Sequence, residues 1–215
     1  MAAVTGSYHD SHLTLDPARP LVWSVVAEHL SPFIPPDAEV LEIGAGYCDW
    51  INQVRAARRV AVDVWPEVRR FAGAGVDSQV LDVSTDLRTF PPGSFDTVLA
   101  SNILEHFVPD VTAEIVADVF ALLRPGGRLL IIQPNFAHAP RQYFDDYTHR
   151  SVFTHVSLPA LLRSRGFLID AVKPRFLPYS MRGSRLPIQR WLVRAYLQSP
   201  FKPMAGQMLV VARKP

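Results

Sequence analysis

Three groups of residues in this chain have the types and spacing that chemistry needs. The first is Glu42-Ile43-Gly44-Ala45-Gly46, with Asp63, Asp82 and Ser101-Asn102 further on, each closing a short apolar run. Glycines after such a run let the backbone approach a ligand without side-chain obstruction, and the amides that follow can meet its polar groups. A carboxylate such as Asp63 is a bidentate acceptor, able to take both hydroxyl hydrogens of a ribose. The second group is Leu104-Glu105-His106, in which His106, with an unperturbed pKa of about 6.5, can accept a proton from a hydroxyl near neutral pH. The third is Tyr143-Phe144-Asp145-Asp146-Tyr147-Thr148-His149-Arg150, which gathers carboxylates, phenols, an imidazole and a guanidinium in one loop. Within it Asp146 and His149 are placed to orient or deprotonate a hydroxyl, and Arg150 to pair with an anionic group. Tyr143, Asp145 and Tyr147 read as substrate-facing companions.

The elements that must position these groups alternate. Pro20 to about Phe33 fits a helical face and Pro35-Pro36 ends it. Residues 39–43 then read as a buried strand entering a glycine turn, about 49–57 as a helix, 59–63 as a strand, 66–71 as a helical piece, and 78–82 and 95–100 as strands. An apolar helix over 108–123 is expected to break at Pro125-Gly126-Gly127, before a fifth strand over 128–133. A helix over 157–165 and strands over 167–172 and 207–212 complete the pattern. This predicts an α/β fold: a Rossmann-like parallel sheet with helices on both faces and an antiparallel C-terminal strand, one domain over 1–215. Residues 1–19 read as weakly ordered, and 174–205 as a basic insertion or lid between the last two strands.

Composition sets outer bounds. With 48% hydrophobic and 20% charged residues the chain can bury a sizeable core, and its single cysteine, Cys48, cannot form an internal disulfide. No apolar run reaches the roughly 18 residues that span a bilayer, and a cytoplasmic location is expected. Charge is uneven: residues 141–215 hold 13 Lys/Arg against 3 Asp/Glu, leaving 9 against 17 for residues 1–140. In the insertion Arg185, Arg190 and Arg194 interleave with Leu186, Ile188, Trp191, Leu192, Tyr196 and Leu197, a pattern compatible with a plain docked helix, a lid or peripheral membrane contact.

The ordered set resembles the class I S-adenosylmethionine-dependent methyltransferases, the small-molecule group of the ubiquinone-biosynthesis type and its bacterial members. Val40-Leu41-Glu42-Ile43-Gly44-Ala45-Gly46 is similar to that family's first motif. Asp63 matches its ribose position, Leu81-Asp82-Val83 its adenine position, and Phe95-Asp96 and Leu123-Arg124-Pro125-Gly126-Gly127 its fourth-strand and pre-fifth-strand motifs. The resemblance implies S-adenosylmethionine as cofactor. Glu42 would lie near the amino and sulfonium end through the loop Gly44-Ala45-Gly46, Asp63 would hold the ribose and Asp82 the adenine amine. Val64 or Trp65 would pack on the ring, with Val83, Ser101 and Asn102 completing the rim. Tyr47-Cys48 stands where many relatives carry another glycine.

A nicotinamide-dinucleotide enzyme shares this architecture, but its fingerprint requires Gly or Ala where this chain has Asp49. A related RNA-methylating group carries a Glu-x-x-Glu-His metal site. Here the first position is Asn102, so no metal is expected. No Asn/Asp-Pro-Pro-Tyr/Phe element follows the fourth strand, which argues against nucleic acid. The expected reaction is methylation of a hydroxyl oxygen on a sugar, lipid-linked glycan or other small metabolite; RNA methylation and a non-catalytic cofactor-binding module are the alternatives.

Overall fold

The computed structural model describes residues 15–179 and 188–215. The expected weak order of residues 1–19 falls mostly, and Arg185 and Leu186 wholly, outside the described residues. The strands are β1 (Glu39–Ile43), β2 (Arg58–Asp63), β3 (Val76–Val80), β4 (Phe95–Ser101), β5 (Leu123–Pro134), β6 (Leu168–Pro178) and β7 (Ala205–Arg213). The helices are α1 (Arg19–Leu30), α2 (Val68–Phe71), α3 (Pro109–Leu122), α4 (Ser157–Ser164) and α5 (Arg190–Gln198).

The strands form one seven-stranded sheet in the order β3-β2-β1-β4-β5-β7-β6. The first five are parallel, and β7 runs antiparallel between β5 and β6. Because strands parallel on both sides are covered by helices or loops, β1, β2 and β4 are buried along most of their length, while edge strand β3 is only half-buried. Side chains alternate between the faces. Leu41, Ile43, Val60, Val62, Val98, Leu129 and Ile131 pack with residues of α3 and α4, and Val40, Ala61, Leu99, Leu130 and Ile132 pack with those of α1 and the segment 45–54. The order reverses between β1 and β4, which opens a crevice at their carboxyl ends, the place where open α/β sheets bind ligands.

The structure departs from the expected elements in physically readable places. Residues 49–57 form no helix but a run of tight turns, closed by Cys48 N–H to the Ala45 carbonyl at 2.7 Å and Gln53 N–H to the Trp50 carbonyl at 2.8 Å. Cys48 has φ +56°, and the Ile51 amide is taken by the Glu42 carboxylate at 3.0 Å, so a regular helical ladder cannot form through this segment. β3 ends at Val80, paired with Asp63, which leaves Asp82 in a turn. β5 starts at Leu123, since Pro125-Gly126-Gly127 makes a bulge rather than a break: Gly126 has φ +79°, and the register against β4 shifts between Phe95 and Thr97. β6 runs to Pro178, into the expected insertion, because β7 continues to pair with it through irregular register.

The remainder of the insertion docks. Arg190 and Arg194 of α5 both pair with Glu28 of α1, Arg194 at 2.7 Å, and Leu197 is buried against the core. Two of the arginines that suggested a lid or a membrane contact are thus matched by an internal carboxylate. Among the described residues no helix is long and apolar enough to cross a membrane.

Candidate functional site

The glycine turn is held by β2. The amides of Gly44 and Ala45 both donate to the Val62 carbonyl, at 2.9 and 3.1 Å, and the Gly46 amide donates to Asp63 Oδ2 at 2.7 Å. Gly44 has φ +68°, and a Cβ there would stand 2.4 Å from Ile103 Cδ1, so backbone shape and close approach both require glycine. Ile103 follows Asn102, itself at φ +50°, an uncommon conformation for any residue but glycine and one in which asparagine is enriched. Ser101 and Asn102 therefore leave β4 on a sharp turn directly over the glycine loop.

Two of the expected cofactor residues, Gly46 and Asp63, are joined directly on this rim. Asp63 ends β2, almost buried, with Oδ2 accepting from Gly46 and Oδ1 from the Trp65 amide at 2.8 Å. Each oxygen retains acceptor capacity for a hydroxyl. Glu42 lies below the loop rather than on its surface. It is buried, accepts from Ile51, and burial raises its carboxyl well above the usual range, with Asp49 and Asp63 adding to the effect. Asp49, at the position that excludes a dinucleotide fingerprint, is tied to Arg19 of α1 at 2.7 Å. Asp82 accepts through Oδ1 from the Ser84 amide and hydroxyl at 2.9 and 2.6 Å, which leaves Oδ2 directed by a fixed turn, while Val83 is buried. Val64 is exposed; Trp65 instead stacks on Phe71 at 5.6 Å, and Tyr47 meets both rings edge-on at 5.3 and 4.7 Å. Tyr47 thus contributes an aromatic wall beside Asp63 where relatives were expected to carry glycine.

The motifs Phe95-Asp96 and Leu123-Arg124 serve a different end of the sheet. Arg124 bonds Asp96 at 2.5 Å and Glu39 at 3.0 Å, and Asp96 also accepts the Glu39 amide at 2.8 Å. These groups clamp the strand starts, opposite the rim.

The second and third chemical groups of the sequence form one site. The amides of Arg150 and Ser151 donate to the Glu105 carbonyl at 2.7 and 3.1 Å, and the Ser151 hydroxyl to the Phe107 carbonyl at 2.6 Å. This fastens the 143–151 loop to the turn after β4. His106 Nδ1 stands 2.9 Å from Thr148 Oγ1, whose own proton goes to Asp146 Oδ1 at 2.5 Å. His149 Nδ1 donates to the Tyr143 carbonyl at 2.5 Å, and its Nε2 lies 4.0 Å from Asp146 Oδ2. Burial pushes the His106 imidazole down to about 4, helped by His149, and lowers His149 as well. Burial alone would raise Asp146, but the Thr148 hydroxyl and amide hold its carboxyl below the ordinary value.

Of the expected substrate-facing residues, Asp145, Tyr147 and Arg150 are exposed. Tyr143 is not. It is fully buried, its hydroxyl donating to the Ser151 carbonyl at 2.7 Å and accepting the Phe153 amide at 3.2 Å. With donor and acceptor both committed, it braces the loop from below, and its expected contact with substrate is corrected accordingly.

Two residues were missed. Glu105 is completely buried, neither carboxylate oxygen has a hydrogen-bond partner among the described residues, and burial pushes its carboxyl up to about 8. The signal was present as a charged residue beside His106 in an otherwise apolar segment. Tyr179, beyond the end of β6, has its hydroxyl raised by burial and then by Glu105, Asp146 and Asp145, which marks it as a neighbour of the same cluster. Its backbone comes so close to β7 that a Cβ on Gly206 would meet Tyr179 Cβ at 2.7 Å. No sequence signal linked position 179 to a site some thirty to seventy residues earlier in the chain. Two surface clefts, one of 340 Å³ lined by Ser84, Asp110, Val111, Glu114 and Arg165 and one of 560 Å³ at Pro36, Asn52 and Arg59, contain none of the expected site residues.

Comparison with known proteins gives concordant results. Residues 18–172 match the family model described as a methyltransferase domain. Over 104 residues the chain is 39% identical to a ubiquinone biosynthesis O-methyltransferase of Xanthomonas euvesicatoria, a match covering 44% of this chain and 42% of that protein. The chain thus spans under half the length of the curated relatives it matches. Among solved structures, a SAM-dependent methyltransferase from Archaeoglobus fulgidus superposes over 98% of this chain and 99% of its own, with TM-score 0.70 and 17% identity. A Burkholderia thailandensis 1,6-didemethyltoxoflavin-N1-methyltransferase, solved with S-adenosylhomocysteine, superposes over 98% of this chain and 84% of its own, with TM-score 0.60 and 24% identity. The likeness to the solved structures is one of fold.

Proposed function

This chain belongs to the methyltransferase-domain family, and from that premise we propose that it binds S-adenosylmethionine along the rim of Gly44, Gly46, Asp63 and Asp82 and methylates a hydroxyl oxygen of a small molecule or glycan. The residues fit the cofactor. Asp63 offers acceptors to a ribose from two oxygens already fixed by backbone amides, and Gly44 keeps the loop free of a side chain. Asp82 presents a carboxylate oxygen to an exocyclic amine, and Glu42 holds the loop from beneath through Ile51.

When bound, the cofactor supplies a methyl group activated by a sulfonium and displaced in line by a nucleophile. What the protein must add is position, exclusion of water and a place for the proton. The observation that carries oxygen as the acceptor atom is the cluster of His106, Asp146 and His149 beside the end of β4. Both imidazoles are held neutral and Asp146 is held ionised, so each can receive a hydroxyl proton. Asp146 and His149 take up that proton, and the exposed Tyr147 and Arg150 flank the approaching acceptor. The name of the Xanthomonas relative is consistent with transfer to oxygen.

Incubation with methyl-labelled S-adenosylmethionine and a panel of phenols, catechols and nucleotide sugars tests this reading. The expected result is label on an acceptor oxygen, with Asp146→Asn and His149→Ala lowering turnover by roughly a hundredfold while cofactor affinity is kept. Label found only on nitrogen or carbon, or full turnover in both variants, would contradict it.

A further inference from the structure

We propose that His138, His155 and Arg175 form a binding site for a phosphate group beside the carboxyl end of β5, and that this site holds the anionic part of the methyl acceptor. The second half of the inference rests on the methyl-transfer reading; the first stands without it.

The site is organised by Asn135, which directly follows β5 and is fully buried. Its side-chain oxygen accepts the amides of Ala137 and His155 at 3.2 and 3.3 Å. Its side-chain nitrogen donates to the Pro174 carbonyl at 2.8 Å and stands 3.1 Å from His155 Nδ1. Its backbone carbonyl takes the amides of His138 and Ala139 at 2.9 and 3.0 Å. One buried residue thus fixes the turn that carries His138, the segment that carries His155 and the stretch of β6 that carries Arg175. Two backbone amides on the oxygen settle which end of the carboxamide is nitrogen, so His155 Nδ1 is an acceptor and the ring proton sits on Nε2. The two imidazoles lie 9° from parallel with ring centroids 5.6 Å apart.

What these segments present is charge without a counterpart. His138, His155 Nε2 and the exposed Arg175 guanidinium have no hydrogen-bond or ion-pair partner among the described residues. Burial, then Arg175 and His155, lower the His138 imidazole, and no carboxylate is among the groups that shift it. A guanidinium free of carboxylates, joined by N–H donors from two rings, suits an oxyanion. Donors on three separate segments match the several terminal oxygens of a phosphate better than the two of a carboxylate. The Asn102 amide donates to the Ile132 carbonyl of β5 at 2.8 Å, so this site and the rim occupy the same end of neighbouring strands. A phosphate held there leaves the rest of a sugar phosphate or similar ester to reach along the sheet end towards the rim.

The test is calorimetric titration of the full chain with inorganic pyrophosphate, and with malonate as the carboxylate arm, in phosphate-free buffer. The expected result is saturable binding of one pyrophosphate per chain and weaker binding of malonate. Arg175→Gln should weaken pyrophosphate binding at least about tenfold and His138→Gln by about threefold. Arg163→Gln, which removes an equal charge from an exposed position of α4, should leave it unchanged. Thermal unfolding of each variant verifies the fold. S-adenosylhomocysteine titration of the same samples separates the two readings: a chain that binds pyrophosphate through Arg175 and ignores S-adenosylhomocysteine keeps the anion site but sinks methyl transfer and, with it, the acceptor half of the proposal. In turnover, Arg175→Gln should raise KM for a phosphorylated acceptor at least about tenfold with kcat kept, and leave KM for an uncharged acceptor unchanged. Absence of pyrophosphate binding in wild type, malonate bound as tightly as pyrophosphate, or an equal loss in Arg163→Gln would overturn the site, and an unchanged KM in Arg175→Gln would overturn its role with the acceptor.

Discussion

The imidazoles of His106 and His149 meet edge-on with ring centroids 5.0 Å apart, although one follows β4 and the other lies in the loop beyond β5. Parallel neighbours β4 and β5 bring their carboxyl ends side by side, and the Glu105 carbonyl receives the amides that hold the second segment onto the first. Chemistry that appears twice in the sequence is therefore a single cluster in the fold.

Tyr143 supports that cluster from the core. Tyr143→Phe removes the donor to the Ser151 carbonyl and the acceptor for the Phe153 amide, leaving buried backbone groups unpaired at a cost of about 1–3 kcal/mol. Urea unfolding should show this loss with cofactor affinity unchanged. A variant as stable as wild type would mean that the hydroxyl is satisfied by something else.

Glu42 gives a pH dependence of definite sign. Its carboxyl titrates higher in the folded chain than the ordinary 4.5, driven by burial and then by Asp49 and Asp63, against the Ile51 amide and Arg19. The folded state therefore holds this proton more tightly, and that contribution is complete below the unfolded value and lost as pH rises towards the folded one. As pH rises from about 5 the cofactor-free protein should lose Tm more steeply than Glu42→Gln, which cannot ionise. Parallel curves for the two proteins would place the Glu42 carboxyl in a different environment.

Cys48 is fully buried in the turn beneath the glycine loop, where burial and then Glu42, Asp63 and Asp49 push its thiol up to about 12. Iodoacetamide at about pH 8 should leave the native protein unlabelled and modify it only after denaturation. Labelling of the native protein at the rate of a free thiol would show that the 46–53 turns open readily.

Gly44→Ala meets both a φ of +68° and the Ile103 side chain. The substitution should cost about 1–3 kcal/mol of stability and weaken S-adenosylhomocysteine binding, measured by thermal shift with and without the ligand. An unchanged ligand-induced shift would separate the loop from the cofactor.

The succession of strands and the glycine turn after the first were legible because glycines and carboxylates closing apolar runs are local signals, and β1 matches its expected bounds from Glu39 to Ile43. The 46–53 turns were not legible. Asp49 to Ala57 has the composition of a helix, and only the long-range bond from Glu42 to the Ile51 amide reveals the competition that the ladder loses. Likewise Phe144, Tyr147 and Tyr143 look equivalent in a loop, yet two are exposed and one is the loop's buried anchor, a choice made by tertiary packing. Arg190 and Arg194 read as free basic charge until α1 supplies Glu28, far away in sequence. Glu105 went unnoticed as a site residue because its significance lies in the absence of a partner, which a sequence cannot display.

Calorimetric titration of the wild-type chain and of Asp63→Ala with S-adenosylhomocysteine addresses the rim most directly. Wild type should bind one molecule in the micromolar range, on the order of 1–100 μM, and loss of the carboxylate's bonds to the ribose should weaken binding by about 1.5–3 kcal/mol, roughly ten- to a hundredfold. Wild-type protein that ignores S-adenosylhomocysteine but binds a nicotinamide dinucleotide tightly, or an Asp63→Ala variant with undiminished affinity, would contradict the assignment of this rim to the methyl donor.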